Sequence, residues 1–142
     1  MIVPLPPADD PTADPQDPVA VASALVTVLT NHRSDLSARA WRDRWSKWVT
    51  PALAIQLEDH RTHGTYDEEL EAAGAEEIGV VVGSATRVCS AQRCQVIVVA
   101  DQTLLVEAEP IVEHNFVSWA IDLERPDESG WRVSGISLAG MP

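Results

Sequence analysis

The chain has 142 residues, 45% hydrophobic and 23% charged, which suits one globular domain able to fold around its own core without a metal or disulfide staple. Its 22 acidic and 10 basic side chains leave a formal net charge of −12, and such a surface repels phosphate backbones, so no nucleic-acid partner is expected. No apolar run reaches the ~18 residues needed to cross a bilayer. The opening MIVPLPPADD also lacks the basic and long apolar regions of a secretory signal, so the chain as it stands reads as soluble. The acidity serves solubility or, more sharply, offers a face to a basic partner.

Residues 1–18 hold six of the ten prolines and four aspartates. Proline fixes φ and removes a donor, and like charges repel, so residues 1–17 are expected to form an extended tether ahead of one domain spanning 18–142. Asp17-Pro18 is an N-cap followed by a first helical residue, and Val19 to Leu29 is apolar on almost every side, a helix that must be covered. Asn31-His32-Arg33-Ser34 breaks it. A second helix is expected from a Ser37 cap through Lys47, and a third from Thr50-Pro51 to about His60. The acidic stretch around Tyr66, between Gly64 and Gly74, is open between one helical turn and two.

After Glu77 the pattern turns to strands: Ile78–Val88 with Gly79 and Gly83 marking bends, Cys94–Val106, Ile111–Leu123, and Trp131–Leu138. The third and fourth are separated by Glu124-Arg125-Pro126-Asp127-Glu128-Ser129-Gly130, a run of turn formers. Helices first and strands after argue an α+β fold: three N-terminal helices packed on a curved four-stranded antiparallel meander, a cone with a groove or pocket inside.

Three segments carry a family resemblance: Asp-Pro-Val-Ala-Val-Ala at 17–22, Trp41…Trp45…Trp48-Val-Thr-Pro-Ala-Leu, and Gly130-Trp131-Arg132-Val133-Ser134-Gly135-Ile136. Together, over about residues 17–139, they resemble actinobacterial extracytoplasmic domains of the nuclear-transport-factor-like superfamily. Domains of that style occur in type IV secretion assembly factors, Gram-positive conjugation membrane proteins and Mce-associated membrane proteins. The resemblance implies the cone fold, an assembly role rather than catalysis, and a membrane helix ahead of the tether. It implies location on the outer face of the cell membrane if such an anchor precedes the chain, and a cytoplasmic location otherwise.

Cys89 and Cys94 flank Ser90-Ala91-Gln92-Arg93 at the mouth of an expected hairpin. A four-residue turn sets them opposite each other within bridging range, and closing so short a loop adds only about 2 kcal/mol in the chain-entropy model. A bridge there also marks a compartment, since disulfides persist outside the reducing cytosol; the alternative is a pair of reduced, half-buried thiols. Trp41, Trp45 and Trp48 fall on one helical stripe, and Trp119 shares a strand face with Val117, Ile121 and Leu123. With Trp131 these rings are core, or the walls of a pocket.

His32 sits in the break after the first helix. Asp59-His60-x-x-His63 leaves a helix end and enters a glycine turn, which does not hold metal geometry, and no metal or cofactor motif is present. Asp101, His114 and Asp122 are the candidates for an acid–base pair deep in the cone; His114 shares a strand face with Phe116 and Asp122. Three functions follow. The first is a non-catalytic interaction domain binding protein partners, another copy of the chain among them. The second is a module for a small apolar ligand, and the third a lyase or isomerase using Asp101, His114 or Asp122.

Overall fold

The computed structural model describes residues 12–31, 38–63, 75–106 and 109–139; within these, the side chains of 38–41, 59–63, 75–77, 104–106 and 109–114 lie outside the description. Residues 1–11 of the expected tether, His32 and the segment around Tyr66 therefore fall outside it, as do the side chains of Trp41, His60, His63 and His114.

Helix α1 spans Pro18–Leu29. The Asp17 carboxylate accepts from the backbone N–H groups of Val19 (3.0 Å) and Ala20 (3.3 Å), and Pro18 occupies the first position, where no N–H is needed. Val21, Ala22, Ala24, Leu25, Val26 and Val28 are all buried, so the helix is enclosed on more than one side. Helix α2, Ala38–Trp45, tightens into a 3-10 turn at Ser46–Trp48, and α3 runs Pro51–His63. The single helix expected over 37–47 is thus interrupted. Val49 is extended (φ −120°, ψ 157°) and bridges Val133 in parallel, and Thr50 N–H donates to Val133 C=O at 2.9 Å. A helix continued past Trp48 would forfeit that pairing. The tighter turn also lines up residues three apart, which puts both Trp45 and Trp48 into the core. The Thr50 hydroxyl accepts from Leu53 N–H at 3.3 Å and starts α3. Arg42 on α2 pairs with Glu58 on α3 at 2.9 Å.

Four antiparallel strands follow in sequential order: β1 Ala75–Cys89, β2 Arg93–Val106, β3 Glu109–Glu124 and β4 Arg132–Leu138. The register shifts between Val81 and Gly83, between Thr86 and Val88, and between Asp122 and Leu123, as expected of a sheet that bends. On β2 the even residues Cys94, Val96, Val98 and Ala100 are buried and the odd ones half-exposed, so one face lies against the helices and the other does not. Ile121, Leu123 and Val133 complete the inner face beneath α1.

Both ends of α1 are anchored by polar contacts. At its start, residues 12–17, which composition assigns to the tether, dock on the β3–β4 loop. Trp131 N–H donates to Pro15 C=O at 2.7 Å, Gln16 Nε2 donates to Glu128 C=O at 2.9 Å, and Arg125 Nη2 donates to Gln16 Oε1 at 2.8 Å. Proline lacks a donor but keeps its carbonyl, so proline content alone does not stop a segment from docking. Gly130 makes the approach possible: its φ is +123°, and a side chain there would collide with the Pro15 carbonyl.

At the other end, the buried Asn31 amide takes both backbone groups of Gly79. Its Nδ2 donates to Gly79 C=O at 2.9 Å, and its Oδ1 accepts from Gly79 N–H at 3.3 Å. A strand residue points its N–H and C=O to the same side, so Asn31 occupies the edge of β1 turned away from β2. Thr30 packs so tightly on Gly79 that a Cβ there would overlap its hydroxyl. Asn31→Ala, which strands two buried backbone groups, is expected to cost about 2–3 kcal/mol in urea denaturation, and Gly79→Ala about 2 kcal/mol by overpacking. Gly83→Ala, where a Cβ meets nothing within 4 Å, should stay within about 0.5 kcal/mol of the parent.

Candidate interaction surface

Trp45, Trp48 and Trp131 are side chains of the core, each almost fully buried. Lys47 Nζ sits 4.6 Å above the Trp48 ring, covering it from solvent. Trp119 is half-buried, packed against the core beside Leu138 of β4.

Asp101 and Asp122 both sit on the outer face of the sheet. Asp101 pairs with Phe116, whereas Asp122 pairs with Gln95, six positions away along β2. At ~3.4 Å per residue that is roughly 20 Å, too far for two groups to act on one bond. Phe116, which shares the Asp122 face, is 62% exposed, so this face is not the interior of a cone.

Cys89 and Cys94 are directly opposed across the β1–β2 hairpin with Cα atoms 4.1 Å apart, and they form a disulfide. The turn they close is held by Ser90 N–H to Arg93 C=O (2.7 Å) and by the Ser90 hydroxyl, which accepts from Arg93 N–H at 3.2 Å. It joins the next loop through Arg125 N–H to Gln92 C=O at 2.9 Å. In that loop the Asp127 carboxylate accepts from Ser129 N–H at 2.7 Å. Its pKa is held below the usual aspartate value by the Ser129 side-chain and backbone hydrogen bonds first, with the Arg132 charge adding to them.

Beside the disulfide, a shallow recess of about 300 Å³ opens on the outer face, lined by Val88, Arg93, Cys94, Gln95, Asp122, Leu123, Glu124 and Ser134. Gln95 Nε2 donates to Asp122 Oδ1 at 2.9 Å, and the Ser134 hydroxyl donates to Asp122 C=O at 3.3 Å. Gly135 leaves room for the carboxylate, since a Cβ there would lie 3.2 Å from Asp122 Oδ2. Nothing in the linear sequence pairs Gln95 with Asp122; strand register alone brings them together. The recess is shallow and open to solvent.

No known family profile matches the sequence, and a search of curated proteins finds no relative. Solved structures do match. An IcmL-like type IV secretion system protein from Legionella pneumophila superposes with a TM-score of 0.69 at 8% identity, covering 87% of this chain and 92% of that one. The periplasmic domain of DotI gives 0.68 at 11% identity, over 87% and 93% of the two chains. CagV, a VirB8 homolog of the Helicobacter pylori type IV secretion system, gives 0.62 at 11%, over 87% and 97%. The chain shares the α+β fold of these proteins, helices on a four-stranded antiparallel sheet.

Two outcomes test the geometry at this end of the sheet. Replacing both Cys89 and Cys94 by alanine should lower stability by about 2 kcal/mol in thermal or urea unfolding while the far-UV circular dichroism spectrum is kept, because the hairpin is also held by its ladder. In an NMR pH titration, the Asp127 carboxyl should ionise below the usual aspartate range, and Ser129→Ala should move its midpoint upward. A depressed carboxyl pKa stabilises above the unfolded-state value, so that contribution should fade as the solution is acidified through the folded-state midpoint.

Proposed function

We propose that this chain is a non-catalytic interaction domain on the extracytoplasmic side of a cell membrane, contributing to a secretion assembly of the type IV kind. The observation that carries the reading is the shared fold over nearly the whole domain with a secretion-system protein, the DotI periplasmic domain and a VirB8 homolog. Two features of the chain support it. The Cys89–Cys94 disulfide suits an oxidising compartment. Among the described residues, the enclosed side of the sheet carries α1 and the rings of Trp45, Trp48 and Trp131, which leaves the outer surfaces for contact.

In this reading the proline-rich N-terminal segment is the link to the membrane, and the docked residues Pro15 and Gln16 fix where that link leaves the domain. The finer form of the proposal is a conjugative apparatus, in which the domain binds neighbouring subunits and turns over no substrate.

The test uses the protein expressed from its own gene with a C-terminal epitope. The tagged protein is expected in the membrane fraction and should be digested when protease is added to intact, wall-stripped cells. Its two cysteines should resist alkylation until a reductant is supplied. A protein that stays protected until the cells are lysed, with both thiols free, would overturn the proposal.

A further inference from the structure

The two sulfurs of the β1–β2 disulfide differ in their surroundings. Cys89 is exposed, whereas Cys94 is only 5% exposed. They face each other across one register pair, and the next residue at that level is Leu123 of β3, itself 2% exposed. On the other side of Cys89 the sheet ends, because β1 is an edge strand, and residues 82–90 are exposed without a break. One sulfur thus belongs to an open edge and the other to the core.

Thiol–disulfide exchange proceeds by attack of a thiolate in line with the S–S bond, so each sulfur is reached from the side opposite its partner. For Cys94 that side is held by Leu123 and the core around it. For Cys89 it is the solvent beyond the β1 edge. Burial disfavours a thiolate at Cys94 and slows its departure, but the closed line to Cys94 leaves Cys89 as the sulfur attacked. Two cations stand close in the chain: Arg87, the sole charged residue of 82–90, and Arg93, next to Cys94, both exposed. Positive charge there favours thiolates, the incoming one and the one set free. The turn does not depend on the bond, since Ser90 N–H to Arg93 C=O and the β1–β2 ladder also hold it.

We infer that Cys89–Cys94 is an exchange site, opened and re-formed by a dithiol partner that engages Cys89. In the opening direction a partner thiolate attacks Cys89 Sγ. A partner–Cys89 bond forms, the Cys89–Cys94 bond breaks, and its electron pair leaves on Cys94 Sγ, which takes a proton from water. The partner's second thiolate then attacks the partner sulfur of that mixed disulfide and releases Cys89 as a thiolate, which is protonated in turn. Both cysteines are reduced and the partner dithiol is oxidised to a disulfide. Run backward, an oxidised partner installs the bond. The inference stands on the sheet edge and does not rest on the proposed secretion role.

The test uses the purified, oxidised chain with glutathione as the attacking thiol. Reaction is quenched early with acid, free thiols are alkylated, and the single adduct is mapped by mass spectrometry. Glutathione should sit on Cys89 and the alkyl group on Cys94 in about nine molecules of ten. The rate should be first order in glutathione and unchanged in Gly79→Ala, whose weaker fold opens more often. Arg87→Glu should slow glutathione, an anionic thiol, at least about threefold relative to cysteamine, a cationic one, at low salt, and Arg93→Glu should act in the same direction. With dithiothreitol as the dithiol, reduction should run to two thiols while the far-UV circular dichroism is kept.

Glutathione placed chiefly on Cys94, or shared evenly, overturns the inference. So does an exchange that quickens about thirtyfold in Gly79→Ala, because the bond would then be reached only by unfolding. A spectrum lost together with the bond overturns the reversible site. A rate ratio unmoved by both Arg87→Glu and Arg93→Glu overturns the part given to the cations.

Discussion

A helix that is apolar on nearly every side cannot sit on a surface; it has to be enclosed. Six of the twelve residues of α1 are buried, and the rest of the molecule is arranged around that fact. The sheet bends beneath it with the help of bulges in β1 and β4. Trp45 at the end of α2 and Trp48 on the turn before α3 pack in the same core, and Val49 ties that segment to β4. Enclosure removes water from the C-terminal end of the helix, where backbone groups still need partners. Asp17 serves the start, Thr30 turns its hydroxyl back onto Val26 C=O at 2.7 Å, and Asn31 spends its amide on Gly79. Polar residues buried at the rim thus hold an apolar helix in one place along the sheet.

The same anchoring decides which surfaces remain for contact. A strand edge invites pairing by other chains, and β1 is the long free edge of this sheet. Asn31 blocks it at Gly79, and the bulges at Val82 and Arg87 disturb the ladder further along. The outer face carries neither device. It has a low-charge centre with a polar recess toward one end, which is the profile of a surface that meets another protein.

Three solved structures that share this fold do so at 8–11% identity. That is physically reasonable, because a layered α+β domain is specified by the alternation of buried and exposed positions and by a few turns and caps, not by particular side chains. For the same reason the shared fold carries less about chemistry than about architecture. The close contacts of this chain are written in single residues: Gly79 and Gly130, where another chain segment passes too close for a Cβ, and Gln95 and Asp122, which meet across two strands.

Much of the architecture was legible in the linear sequence because it depends on short-range rules. The Asp17-Pro18 start, the nearly all-round apolar α1, the Thr50-Pro51 start, the succession of four strands and the hairpin that opposes Cys89 with Cys94 all follow from neighbours within a few residues. Misplaced or unseen features depend on partners far along the chain. The second helix gives way at Trp45 because Val49 is needed by Val133. Composition assigned Thr12 to Asp17 to a tether, yet Pro15 and Gln16 find partners more than a hundred residues away. Asn31 read as a helix breaker and is instead the plug of a sheet edge. Asp101 and Asp122, grouped as candidates for one acid–base site, stand apart because strand register assigns them different levels of the sheet. Local pattern sets which segments are helix or strand, since propensity and burial period act over a turn or two. Which side chains meet is settled by register and docking between segments, for which no short-range rule exists.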